Sequence, residues 1–319
     1  MKSIRVHAFG DPEVMQLQDI PAPTAASGQI LITNKAIGVN PVDTYIRAGK
    51  YGPREFPFTP GFDGAGVVEA IGPNVTRFKV GDRVYYSRPI TGAYAEKALV
   101  DQNNVYPLPD AITFAQGAAL GVPYGTAFRA FHFRGKADVG ETVFVHGATG
   151  GVGIAAVQMA RAFGCTVIGT GGTDNGRQLA LREGAHHMLD HTKSDYLKQL
   201  MDLTGGRGVD LILEMLANVN LAKDLTVLAK NGRVVVIGNR GTIEINPRDA
   251  MQRDADIRGM TLMNATTEEL RGIHSYIYAG LENKTLRPII DREMPLADAV
   301  EAHHEILEGG SHGKIVLVP

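Results

Sequence analysis

A single cysteine, Cys165, is all the thiol chemistry that 319 residues offer. One thiol excludes an intrachain disulfide and equally excludes a multi-cysteine zinc site. A surplus of charge is missing too. The net charge is −2 and the pI about 6.6, so no strong attraction to nucleic acid or an anionic membrane is implied. No window reaches the roughly 18 apolar residues of a membrane-spanning helix. The opening residues, MKSIRVHAFG, have neither the apolar core of a signal peptide nor the basic density of a transit peptide. There is no internal repeat and no low-complexity segment. A hydrophobic content of 44% and a charged content of 21% are those of a globular chain, and the length allows two domains. The expectation is a cytoplasmic protein of enzyme size.

What is present is organised around residues 141–164, ETVFVHGATGGVGIAAVQMARAFG. Residues 142–146 are a short β-branched and apolar run, the signal of a strand buried on both faces. A glycine-rich turn follows over 147–153, and 154–163 then has helical apolar spacing without proline. Strand, turn and helix in that order make the phosphate-binding corner of a dinucleotide fold. Glycine lets backbone approach a pyrophosphate, and the helix N-terminus offers N–H groups and partial positive charge. The fingerprint reads Ala148-x-Gly150-x-x-Gly153, with alanine at its first glycine position.

Two grammars share the chain. Before about residue 124, short strand candidates at 2–9, 15–20, 29–39, 64–71, 83–86 and 94–100 are separated by Gly, Pro, Asn and Asp, which suggests a β-rich, partly open barrel. Residues 114–120 and 124–133 read as helical. From 142 onward, strands at 142–146, 166–170, 187–190, 209–214, 233–237 and 257–262 alternate with helices near 152–163, 175–183, 194–203 and 218–229. That alternation predicts a doubly wound parallel sheet. Two more amphipathic stretches, 268–282 and 296–307, precede a last strand at 314–318, which is free to return to the N-terminal β domain.

Six stretches carry a resemblance: GVNPVDTYIRAG (38–49), TPGFDGAGVVEAIG (59–72), VGDRVY (80–85), VHGATGGVG (145–153), EMLANVNLAKDL (214–225) and IGNRGTIEINPRD (237–249). The chain resembles the medium-chain dehydrogenase/reductase superfamily, and within it the zeta-crystallin-like quinone oxidoreductases. The resemblance implies an α/β fold in which a Rossmann sheet interrupts a β-rich GroES-like catalytic domain. On that plan 1–124 is the first part of the catalytic domain, 125–263 the NADP-binding domain and 264–319 a segment returning to the first. Zinc members of the superfamily hold their metal with a cysteine near the GVN position and a His-Glu pair after PG. Here Asn40 stands near the first and Phe62-Asp63 follow Gly61. Phenylalanine cannot ligate a metal, so no zinc site of this type assembles. Without that Lewis acid, an already electrophilic quinone or enone is a more natural acceptor than a ketone.

The resemblance also places residues. It puts Asn40 and Tyr45 in the cleft near the nicotinamide, where they would hydrogen-bond a carbonyl or enolate oxygen, with Tyr45 or a water supplying a proton. The plainer alternative is that Asn40 caps a turn before Pro41 and Tyr45 fills a wall. Thr149, Gly150, Gly151 and Val152 form the pyrophosphate turn. The second strand ends in glycines through Gly172 with no carboxylate, so the pocket has room for a 2′-phosphate. Arg177 is near enough to neutralise that phosphate, and His191 follows the third strand beside it. Asp174 keeps NAD open. Asn220, Ile237, Gly238, Asn239 and Arg240 follow the fourth and fifth strands and are expected to meet the nicotinamide half. Met260, Thr261 and Leu262 match a further contact on the sixth. Lys314 reads as a surface or cleft-edge charge.

The leading expectation is a zinc-independent, NADPH-dependent quinone reductase forming a homodimer or homotetramer. The alternatives are an NADPH-dependent C=C reductase of enals, enones or enoyl thioesters, and a cofactor- or RNA-binding protein without turnover. The lack of a basic stripe and an aromatic platform argues against dedicated nucleic-acid binding.

Overall fold

The two grammars fold into two units. The computed structural model describes residues 1–308, 310 and 312–319, and divides them into Met1–Val122 with Pro288–Pro319, and Pro123–Arg287.

In the first unit, β1 (Lys2–Val6) and β2 (Met15–Asp19) pair antiparallel. The centre is β3 (Gln29–Gly38), whose β-branched Ile30, Ile32 and Ile37 are fully buried. The next residues, Asn40-Pro41, are a helix start signal, because proline at the first helical position costs no hydrogen bond. They open α1 (Pro41–Arg47), and the Asn40 N–H donates to Asp43 Oδ2 at 2.8 Å. Then come β4 (Asp63–Ile71), β5 (Arg83–Ser87), β6 (Lys97–Asp101), β7 (Val105–Pro107) and α2 (Phe114–Ala118). β3 pairs antiparallel with both β4 and β6.

The second unit takes up the alternation. After α3 (Gly121–Phe128) come β8 (Thr142–Val145), α4 (Gly151–Ala162), β9 (Thr166–Thr170), α5 (Asp174–Arg182) and β10 (His187–Leu189). The second half follows with α6 (Tyr196–Leu203), β11 (Val209–Glu214), α7 (Ala217–Val227), β12 (Leu228–Val236), α8 (Pro247–Met251) and β13 (Asp256–Gly259). The strands form one six-stranded sheet in the order β10-β9-β8-β11-β12-β13, every neighbouring pair parallel. Strand order reverses between β8 and β11, and in such sheets ligands sit outside the carboxyl ends of the strands at that point.

The unit ends with α9 (Thr267–Glu282), whose Ile273, Ile277 and Leu281 bury one face. After Pro288 the chain is back in the first unit with β14 (Ile290–Pro295), α10 (Ala299–Glu308) and β15 (Lys314–Val318). β15 pairs antiparallel with β3, Val316 opposite Gly38. The segment expected to return from 264 thus returns from 288, and α9 stays with the parallel sheet.

Two further expectations are corrected. The sixth strand ends at Gly259, not 262, because Thr261 accepts from Met263 N–H and starts a tight turn, Leu262–Asn264. β12 begins at Leu228, where a helix was expected to continue to 229; the positive φ of Asn231 and a register shift opposite β11 accommodate the early start. The short strands β7 and β14 carried too little alternation to be read. Among the described residues no helix is long and apolar enough to cross a membrane.

Candidate functional site

The glycine corner lies at the carboxyl end of β8. α4 opens at Gly151 with Gly150 before it and no side chain capping its first-turn amides, so those donors are left for a ligand. Alanine at position 148 is explained by the facing strand. A Cβ on Gly169 would stand 2.6 Å from Ala148 Cβ, so the space that a glycine at 148 would leave is provided by Gly169 instead. A Cβ on Gly153 would lie 2.2 Å from Gly147 O, which fixes glycine there. The corner fits a pyrophosphate.

At the adenosine end, the structure brings together residues far apart in sequence. A Cβ on Gly171 would meet Thr149 Cγ2 at 2.7 Å and Arg177 Cγ at 3.1 Å, and one on Gly172 would meet the His191 ring at 3.4 Å. Arg177 is not idle. It donates to Gly171 O at 3.0 Å and pairs with Asp174 and Asp190, each at 3.3 Å. A 2′-phosphate would therefore share this guanidinium with two carboxylates. Burial lowers the His191 pKa, against the pull of Asp190.

The loops after β11 and β12 are stitched to one another. Ala217 N–H donates to Gly238 O at 2.9 Å, and Arg240 N–H to the Asn218 side-chain oxygen at 2.9 Å. A Cβ on Gly238 would strike Met215 O at 2.1 Å. Asn220 donates to Glu214 Oε1 at 3.2 Å, and Asn239 to Gly241 O at 2.7 Å. Ile237 N–H goes to Glu214 O at 2.8 Å, and Met260 N–H to Val236 O at 3.0 Å. Thr261 O accepts from Arg129, and Leu262 packs beside Gly125.

In the first unit, Asn40 and Tyr45 flank the start of α1, but they differ in kind. Asn40 is 1% exposed and its amide is engaged at both ends. It donates to Asp63 Oδ2 at 3.0 Å and its oxygen accepts from the Lys314 ammonium. An orienting part suits that geometry better than the expected bond to a reacting oxygen. Tyr45 is only half-buried, its ring parallel to Tyr51 with centroids 6.5 Å apart.

Lys314 corrects the sequence reading outright, being 4% exposed rather than a surface charge. Its ammonium lies 3.8 Å from Asp63 Oδ2. Asp63 also accepts from Ser87 Oγ at 3.1 Å and Val122 N–H at 2.9 Å. Burial pushes Asp63 up and Lys314 down, each resisted by the other's charge. Asp43, next in the network, is pushed up to about 7 by burial. A cavity of about 510 Å³ in this unit is lined by Asp43, Ile46, Phe62 and Arg88 but also by Met1 and Pro21. Neither Asn40 nor Tyr45 is on its wall.

A second buried cluster escaped the sequence reading: His146, Glu214 and Asp224 in the parallel-sheet unit, each under 5% exposed. Its members are 68 and 10 positions apart (214 − 146 and 224 − 214), and no local pattern marks them. The one available sign was polar residues ending two apolar strands.

Residues 26–110 match the alcohol dehydrogenase GroES-like domain family, and 151–276 the zinc-binding dehydrogenase family. Human quinone oxidoreductase is 48% identical over the whole chain and 98% of its own length. Two solved structures superpose over their full lengths and all of this chain. They are Escherichia coli quinone oxidoreductase complexed with NADPH (30% identity, TM-score 0.93) and a mycobacterial protein complexed with NADPH (31%, 0.93).

Proposed function

Since the chain belongs to the zeta-crystallin-like quinone oxidoreductases of the medium-chain dehydrogenase/reductase superfamily, we propose that it is a cytoplasmic oxidoreductase that reduces quinones with NADPH and without zinc. The observation that carries this reading is the uncapped glycine corner beside Gly171, Gly172, Arg177 and His191. Bound NADPH supplies the reducing equivalents.

The chain's own residues bind and orient. The turn of Thr149, Gly150, Gly151 and Val152 holds the pyrophosphate, with the amides of Gly151 and Val152 as donors, since the Gly150 N–H already donates to Gly147 O at 3.2 Å. Arg177 is the cation for the 2′-phosphate, with Gly172 and His191 bounding the pocket. Asn220, Ile237, Gly238, Asn239 and Arg240, with Met260, Thr261 and Leu262, are proposed for the nicotinamide half. On the GroES-like unit, Tyr45 is the proposed contact to cofactor and acceptor, held on a helix whose start is fixed by Asn40.

Zinc independence is supported by chemistry as well as by residue type. Phe62 has no donor, and the neighbouring Asp63 already has a cation, Lys314, 3.8 Å away. An ammonium there repels a divalent ion and neutralises the carboxylate that would otherwise attract one. A quinone needs no such electrophilic help, because its oxygens take protons from water after reduction.

The test is NADPH oxidation followed with naphthoquinone, phenanthrenequinone and an α,β-unsaturated aldehyde side by side, each also with NADH. Faster turnover of the quinones, and with NADPH, is expected. Turnover confined to the aldehyde would replace the quinone reading with C=C reduction, and none with any acceptor would leave a binding protein.

A further inference from the structure

Three ionisable side chains lie buried in the second unit, and no step of the proposed reaction uses them. Glu214 closes β11, Asp224 is on α7, and both are 0% exposed; His146 follows β8 and is 4% exposed. His146 Nε2 lies 2.7 Å from Asp224 Oδ1 and 3.2 Å from Glu214 Oε2. Burying charge is costly unless it is paired and hydrogen-bonded, so these groups cannot all be ionised independently.

Hydrogen-bond accounting assigns the protons. Glu214 Oε1 accepts from Leu216 N–H and from Asn220 Nδ2. Among the described residues, Glu214 Oε2 and Asp224 Oδ2 have no ordinary donor. A buried acceptor left unsatisfied is expensive, but one proton between the two carboxyls satisfies both. On this accounting Glu214 would be the neutral acid, donating its Oε2 proton to the Asp224 carboxylate, while His146 Nε2 donates to Asp224 Oδ1 at 2.7 Å. Asp224 then carries the only negative charge. Burial pushes both carboxyls up to about 7 and so favours one proton on the pair, while their mutual hydrogen bond raises Glu214 and lowers Asp224, which places that proton on Glu214. The other titratable groups facing the cluster are Lys223 of α7, Tyr196 of α6 and His191 beyond β10. Lys223 is the cation that favours a charged Asp224.

We propose that Glu214 is a positioning residue for the loop 215–220, kept neutral by sharing its proton with Asp224, while His146 ties the pair to the end of β8. Through Oε1 it holds Leu216 and Asn220. Through its backbone carbonyl it also holds the N–H groups of Ile237 and Gly238, at 2.8 and 3.2 Å. Both loops assigned to the nicotinamide half thus hang from one residue. What those loops bind rests on the NADPH reading; the shared proton does not.

Two substitutions separate the parts. Glu214→Gln keeps a carbonyl oxygen for Leu216 and Asn220 and puts an N–H where the shared proton lies. Glu214→Ala removes both. In fluorescence titration with NADPH, the alanine variant is expected to bind about tenfold more weakly and the glutamine variant within about threefold of the unsubstituted protein, with kcat changing less than KM in each. Independently of any nucleotide, the infrared spectrum at neutral pH should contain a carboxylic-acid carbonyl band that Glu214→Gln removes. A glutamine variant as impaired as the alanine one would overturn the proposal, as would the absence of that band. A cation site is the competing outcome, since ligating atoms of the three groups lie within 4.8 Å of one another. Zn²⁺ or Mn²⁺ raising the Tm of the unsubstituted protein but not of Glu214→Gln would establish it and sink the shared proton. If the unsubstituted protein binds no NADPH, the functional reading fails while the infrared band still decides this inference. The band and the glutamine variant also suffice if Glu214→Ala does not fold.

Discussion

Lys314→Met, at the scale of single residues, takes away the cation facing Asp63 and leaves a buried carboxylate with Asn40, Ser87 and Val122 as donors. Breaking one side of a buried pair typically costs about 3–5 kcal/mol, and those remaining donors place the expectation at about 3. Urea unfolding measures it; a loss under about 1 kcal/mol would mean that Asp63 is neutral in the folded protein. Glu214 carries a pH dependence whose sign follows from its raised pKa. Pushed up to about 7 from 4.5, the folded protein keeps a proton that the unfolded chain has released, so this group's contribution is present at low pH and is lost as pH rises through that window. His303, pushed down to about 3 by burial, works in the opposite direction below its ordinary pKa, which is why the comparison has to be differential. Relative to Glu214→Gln, the unsubstituted protein should lose stability between about pH 4.5 and 7. Parallel urea midpoints across that range would show no separation if Glu214 is an ordinary carboxylate.

At the scale of elements, the glycine corner separates a fold requirement from a ligand requirement. A Cβ on Gly150 meets nothing nearer than Gly147 O at 3.8 Å, whereas one on Gly153 meets that same oxygen at 2.2 Å. Gly150→Ala should therefore leave the Tm nearly unchanged but weaken NADPH binding, while Gly153→Ala should lower stability by about 1–3 kcal/mol as an overpacked site does. Equal thermal stability in the two variants would show that the corner relaxes. This corner was readable because strand, turn and helix are contiguous and each has its own periodicity. The same holds for the parallel strands, whose apolar runs are bounded by turn residues. β7 and β14 were not readable, being only three residues long in one case and largely charged, IDREMP, in the other. Nor was the buried state of Lys314, because a lysine before an apolar strand looks the same whether or not Asp63 waits 251 positions away (314 − 63). The His146, Glu214 and Asp224 cluster was hidden for the same reason: tertiary pairing of charges leaves no period in the sequence.

For the molecule as a whole, the sheet edge at β13 bears on assembly. The strand is shorter and more charged than the apolar edge expected from the sequence, with Asp256 and Arg258 paired at 2.5 Å. Ile257 nonetheless remains 43% exposed, and an uncovered edge favours pairing with a second copy. Light scattering at micromolar concentration should give at least twice the 34.2 kDa chain mass; a monomer would remove this edge from the account. The claim on which the rest depends is quinone reduction by NADPH with Lys314, rather than a metal, beside Asp63. It is tested most directly by following NADPH oxidation with naphthoquinone in chelator-treated protein whose metal content is measured in the same sample. Undiminished turnover without stoichiometric metal is the expected result. Loss of turnover on chelation, restored by zinc, would contradict it, as would the absence of any quinone-dependent oxidation.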